Sequence, residues 1–134
     1  NCGQQQIPQS ISISEISISK FPATDAGGAG WDLTSGADLY VVMLYNNNVI
    51  YEHPDFIQNA DPNQVHTFDP NVNLKMDHPT DKYVLILYDY DDFDADDFIG
   101  GIEFTPYSST NGFPSKLVLD TGTVKAELSV SYNF

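Results

Sequence analysis

The chain has 134 residues, with five lysines, no arginine and 19 Asp and Glu residues, a formal charge of −14 at pH 7. So acidic a balance excludes nucleic acid as a partner, since binding phosphate backbones rests on Lys and Arg, and it makes cations the expected small partners. One cysteine, Cys2, excludes an internal disulfide and a cysteine-rich zinc site, the length suits one domain, and no apolar stretch reaches the length of a membrane-spanning helix.

Residues 1–9, "NCGQQQIPQ", read as a polar tether ahead of a domain over 10–134. The tether resembles the start of a processed bacterial lipoprotein, which implies a lipid anchor at Cys2 and an exported protein of the cell envelope or surface. The alternative is an exposed thiol at an arbitrary boundary.

Strand signals dominate from there on and helix signals are nearly absent. "SISISEISISKF" alternates, with Ile11 and Ile13 in one phase and Ile16 and Ile18 in the other, so a bulge is expected near Ser14 and Glu15. "DLYVVMLY" (38–45) is a second strand, and "NNN" (46–48) turns it into "VIYEH". A Pro- and Asn-rich connection leads to a short "VHTF", and then a polar stretch to "DHPTDK", another turn. "YVLILYDYD" (83–91) is nearly all apolar at first, as suits a strand covered on both faces or lying in the middle of a sandwich. "FIGGIEF" (98–104), "KLVL" (116–119) and "VKAELSVSYNF" (124–134) complete the strands. In the last, Val124, Ala126, Leu128, Val130 and Tyr132 alternate with polar residues, leaving one face buried and one wet. The expected fold is all-β, an antiparallel eight-stranded β-sandwich.

The chemistry concentrates in "YDYDDFDADDFIG" (88–100), where Asp89, Asp91, Asp92, Asp94, Asp96 and Asp97 crowd the end of an apolar strand. Two carboxylates about 5 Å apart repel by roughly 1 kcal/mol in water and about 3 kcal/mol at the effective dielectric of a protein surface. A solvated acidic loop is the plainest reading of such a run. Asp89 and Asp91 project from one face of a strand end, however, and Asp97 returns across a short loop, so three carboxylates converge on a geometry that suits calcium. A helix-loop-helix calcium hand starting at Asp92 would use Asp94, Asp96, Ile99 and Glu103. It lacks the Gly required where Asp97 stands and has no flanking helices.

A distant segment, "WDLTSGADLYV" (31–41), supplies Asp32 and Asp38 with Gly36 between them. Taken together, the two segments resemble the C2 domain, the calcium- and phospholipid-binding β-sandwich module. One loop of that family carries D-x-x-G-x-S-D-P-Y-V. Here Asp32 and Asp38 match it, Leu39 stands where Pro is usual, and Tyr40 and Val41 follow. The other loop carries D-x-D, five further residues and D-F-[IM]-G, matched by Asp89, Asp91, Asp97, Phe98, Ile99 and Gly100. The resemblance covers residues 10–134, with no diagnostic motif over 46–80. It implies a C2-like Greek key, and the position of the first loop after the first strand favours the permuted, phospholipase-like topology.

The resemblance further implies that Asp32, Asp38, Asp89, Asp91 and Asp97 hold two or three Ca2+ ions whose open coordination sites capture lipid phosphate. It also implies that Phe93 and Trp31 touch a phospholipid membrane or another anionic surface ligand. Both rings could instead cap the core. The third strand is lysine-rich in lipid-seeking members but reads "NNNVIYEHP" here, so an anionic membrane is repelled unless calcium overcompensates. A second reading is an adhesion or glycan-binding sandwich with structural calcium.

No enzyme is expected. "KLVLDTGTV" (116–124) carries the Asp-Thr-Gly-Thr signature of aspartic proteases once only and about a dozen residues from the end of the sequence, so a tight turn with Gly122 at positive φ explains it better. His53, His66 and His78 have no metal-ligand spacing and read as solvated, and no serine sits in a nucleophile elbow.

Overall fold

The computed structural model describes residues 7–22, 37–61, 63–70, 74–90, 97–108 and 112–134. Among the described residues ten strands run in chain order: β1 (Ser10–Lys20), β2 (Ala37–Tyr45), β3 (Asn48–Glu52), β4 (Ile57–Ala60), β5 (His66–Phe68), β6 (Leu74–Met76), β7 (Tyr83–Asp89), β8 (Asp97–Phe104), β9 (Lys116–Asp120) and β10 (Lys125–Asn133). They form two antiparallel sheets. One has the order β5-β1-β10-β9 with β6 also on β1; the other has the order β3-β2-β7-β8 with β4 also on β2.

The count of ten corrects the expected eight, and the difference lies at two edges. β3 and β4 share one edge of β2, while β5 and β6 share one edge of β1, so each pair occupies a single strand position. The interruptions contain Pro54 and Pro70, which cannot donate to a ladder and so break an edge strand without costing the sheet's interior a hydrogen bond. The final strand β10 sits between β1 and β9, the order expected of the permuted, phospholipase-like arrangement.

The bulge expected in β1 is present. Register slips between Ile13 and Glu15 against β10, and the extra residue restores phase, so that Ile11, Ile13, Ile16 and Ile18 are all buried. Without the slip, two of these isoleucines would face water. β7 alternates fully buried Tyr83, Leu85, Leu87 and Asp89 with half-buried Val84, Ile86 and Tyr88, so its inner face makes core and its outer face is only partly covered. In β10, Ala126 and Leu128 are buried and Val130 and Tyr132 half-buried, all in the expected phase.

Two turns use the backbone freedom of their residues. Asn46 and Asn47 both take positive φ, 51° and 66°, the requirement of a two-residue hairpin turn between β2 and β3. Gly122 takes φ 91° between β9 and β10.

Gly100 of β8 lies close to Val124, just ahead of β10. A Cβ on Gly100 would lie 2.6 Å from Val124 Cγ2, and Val124 is buried with a stiff, β-branched side chain. Gly100→Ala is therefore expected to cost about 1–3 kcal/mol by overpacking, read as a lowered melting temperature. In a double-mutant cycle Val124→Ala should cost less in the Gly100→Ala background than in the wild type; additive losses would show that the two residues do not meet.

Candidate metal centre

The two-residue period of β7 carries its inner face from Tyr83 through Leu85 and Leu87 to Asp89, which places a carboxylate where a core side chain would fall. Asp89 is only 3% exposed. A carboxylate buried to that degree needs partners that favour its charged form. One is supplied by β2: Asp89 Oδ1 accepts the Asp38 backbone N–H at 2.8 Å, and the Asp38 carbonyl in turn accepts the Tyr90 N–H at 2.8 Å. These bonds lace together the bases of two loops whose residues stand 51 positions apart in sequence.

On the other side of β7, Asp97 opens β8 directly opposite Asp89 in the ladder. Residues so paired in antiparallel strands have Cα atoms about 4.5–5.5 Å apart. Register then slips between Leu87 and Tyr88 against β8, and Ile99 is the extra residue, turned into the core. Three of the five expected ligand residues, Asp38, Asp89 and Asp97, are thus gathered at one end of β2, β7 and β8. Asp32, Asp91, Phe93, Trp31 and Cys2 lie outside the described residues, and Asp97 is described by its backbone. Among the described residues no group of three or more His, Cys, Asp or Glu side chains surrounds a common point. The residues whose backbone positions meet at this end are aspartates, whose carboxylate oxygens are hard ligands of the kind calcium takes.

Beside this end of the sheet the structure holds a feature that strand patterns did not reveal. A groove of about 190 Å³ is lined by Tyr40, Glu52, His53, Pro54, Asp55, Phe56 and Tyr90. Phe56 and Tyr90 stack with ring centroids 4.5 Å apart and planes 12° from parallel, and Tyr40 stacks on Tyr88 at 5.5 Å. Tyr90 stands within the D-Y-D triplet, the one hint in the sequence that an aromatic ring accompanies the carboxylates.

The histidines are not simply solvated. His53 is half-buried, with its ring edge-on to Phe68 at 5.1 Å and its Nδ1 hydrogen-bonded to the Tyr51 hydroxyl, and burial lowers its pKa although Asp55 and Asp69 oppose the shift. His66 lies in β5 at 6.1 Å from the Phe21 ring, and His78 stacks on Tyr45 at 4.5 Å. At the far end of the molecule Tyr45 donates to Asp81 Oδ2 at 2.7 Å, which pushes the phenol pKa up to about 12. The Asp-Thr-Gly-Thr segment forms the exposed β9–β10 turn. Asp120 Oδ1 accepts the Gly122 N–H at 2.8 Å, and Thr121 Oγ1 accepts the Val124 N–H at 3.2 Å, so the aspartate serves as a turn former.

No family model matches the chain, and no curated protein does. Solved structures do. A structure described as a C2 domain superposes with a TM-score of 0.62 at 15% identity, over 93% of this chain and 98% of that one. The C2A domain of plant extended synaptotagmin 1 gives 0.51 at 14% identity, covering 96% and 97%. Human group IVD cytosolic phospholipase A2 gives 0.54 at 14% identity over 92% of this chain. This chain spans only 16% of the phospholipase, so the likeness is to one module of it. At these identities the comparisons show the fold, and the fold is that of a C2 domain.

Two measurements check the geometry above. Asp89→Ala should destabilise the metal-free protein by about 1–3 kcal/mol, because it orphans the Asp38 N–H, whereas Asp89→Asn keeps an acceptor there and should cost clearly less; equal losses in chelator would show that the bond contributes nothing. In alkaline spectrophotometric titration, one phenol should ionise near pH 12 and move down in Asp81→Asn. Because Tyr45 has its folded pKa above the unfolded value of about 10, this bond stabilises fully below that pH and its contribution is lost as pH rises towards 12.

Proposed function

We propose that this C2-fold chain is a calcium-binding module whose loaded loops meet a phospholipid headgroup or another anionic ligand. The observation that carries the reading is the buried Asp89, tied to the base of the Asp38 loop and facing Asp97 across the β7–β8 ladder. Asp32, Asp38, Asp89, Asp91 and Asp97 are the proposed ligands. Bound Ca2+ offsets the repulsion among these carboxylates, and backbone carbonyls and water complete its six to eight oxygens. A neighbour of the same fold, extended synaptotagmin 2, has been solved calcium-bound, with a TM-score of 0.50.

Phe93 and Trp31 are the proposed contacts at the loop tips, and Cys2 the proposed lipid anchor of an exported, envelope-bound protein. No catalytic step is assigned to the chain. One observation favours a second reading, in which calcium is structural and the ligand is a glycan or a partner at the cell surface. The exposed β3, Asn48–Glu52, offers no lysine to an anionic membrane.

Melting curves in calcium and in chelator test the metal. At a hundredfold excess over the dissociation constant, binding stabilises by about 2.7 kcal/mol, on the order of ten degrees for a domain of this size. The midpoint should fall near 0.1–1 mM calcium, as in other extracellular modules. Asp91→Asn should weaken the shift, and a curve indifferent to calcium would return the aspartates to a solvated loop. Calcium-dependent sedimentation with phosphatidylserine vesicles, lost in Phe93→Ala, then separates a lipid ligand from the second reading.

A further inference from the structure

The groove beside β2 and β7 combines three properties that together select a ligand. Its walls are aromatic: Phe56 and Tyr90 form one stacked pair, and Tyr40, stacked on Tyr88, lines the same groove. Its rim is acidic, with exposed Glu52 at the end of β3 and exposed Asp55 in the loop before β4. Among the described residues neither carboxylate is in an ion pair, the pairs being Lys82–Glu103 and Lys116–Glu127. Among the described residues no lysine lines the groove, and the whole chain carries a formal charge of −14.

At about 190 Å³ the groove is smaller than the about 300–1,000 Å³ of pockets that enclose whole small molecules, so it fits one side chain or one head group. Ring faces and unneutralised carboxylates both attract a cation. Between cations, the carboxylates decide. A quaternary ammonium has no N–H to give them and an ammonium is a compact point charge, whereas a guanidinium is planar, lies against aromatic faces and donates in a fork that matches a carboxylate.

We propose that this groove docks an arginine side chain of a basic polypeptide partner, the guanidinium lying against Phe56 and Tyr90 and donating to Glu52 and Asp55. The pocket is built independently of any metal. Tyr90 is held by its N–H bond to the Asp38 carbonyl and by the stack on Phe56, and His53 is fixed by its bond to Tyr51. The docking therefore does not rest on calcium, and it leaves the loops at the sheet end free for an anionic ligand. One face of the module would take a basic protein segment while its tip meets a surface of the opposite sign.

The test is a titration of the whole chain in chelator at low salt, followed by the chemical shifts of Phe56 and Tyr90. Arginine amide should bind saturably at millimolar concentration, and citrulline amide, its neutral near-isostere, should not. Asp55→Asn combined with Glu52→Gln should abolish the response. Phe56→Leu should weaken it about tenfold, with the melting temperature unchanged because Phe56 is only half-buried in a loop. Citrulline binding as well as arginine would overturn the role of charge. Choline or lysine amide binding as tightly as arginine would overturn the guanidinium geometry. No saturable binding, or binding indifferent to the three substitutions, would overturn the site. Repeating the titration in calcium separates this result from the metal reading, since either can fail while the other holds.

Discussion

The carboxylate of Asp89 is the point on which the acidic end of the molecule is organised. It continues the inward face of the central strand β7 beyond Leu87, so the same alternation that builds the core delivers a charge to the sandwich's end. A charge in that position is tolerable only if something answers it. The Asp38 amide does so from β2, and the reciprocal Tyr90-to-Asp38 bond locks the two strand ends in register. A carboxylate oxygen is a strong acceptor for a backbone N–H, so this bond ties the bases of the two loops together. Asp97, opposite on β8, then stands close to Asp89 by strand geometry alone.

Getting β8 into that relation depends on packing far from any charge. The slip that turns Ile99 into the core re-phases β8 between its motif residues and the rest of the strand. Gly100, next in line, is required because Val124, just ahead of β10 in the opposite sheet, approaches too closely for a Cβ. The Asp-Phe-Ile-Gly run therefore holds an acid opposite Asp89 in the ladder, an exposed ring against Tyr88, a bulged core residue and a glycine imposed by the contact with Val124. A short motif of this kind meets several packing demands at once, apart from the ligand binding proposed for it.

What could be read from sequence was whatever leaves a local mark. The phase slip in "SISISEISIS" marks a bulge at Ser14 because both isoleucine pairs must reach the core; the asparagines at 46 and 47 mark a turn that needs positive φ; and the alternation of 124–132 marks β10. Asp38, Asp89 and Asp97 were legible as a group through the spacing of two motifs, and the sheet does bring these positions to one end. The short strands β4 and β6 were not legible. Four and three residues cannot show a period, and each exists because a long strand, β2 or β1, offers it a free edge. The groove escaped for the same reason: Phe56 and Tyr90 are 34 positions apart, and only the pairing of β4 and β7 on opposite edges of β2 makes them neighbours. The packed environment of His53 is likewise set by Phe68 in the other sheet.

The charge of the chain links these features. With 19 acidic residues against five lysines, ion pairing within the molecule leaves most of the negative charge unanswered. The two pairs among the described residues are exposed, at 3.3 and 3.9 Å, in a setting where such pairs contribute about 0–1 kcal/mol. The field is therefore available to outside cations, and the fold divides it into two kinds of place. At the loop end, Asp38, Asp89 and Asp97 stand on adjoining strand ends, the proposed place for a small, hard, multivalent ion able to take many oxygens. In the groove, carboxylates stand above ring faces, which favours a large, flat, weakly hydrated ion whose desolvation costs less. On the two proposals, one end of a single sheet would offer different cations different places, because Asp89 continues the inner face of β7 while Tyr90, the next residue, lines the groove.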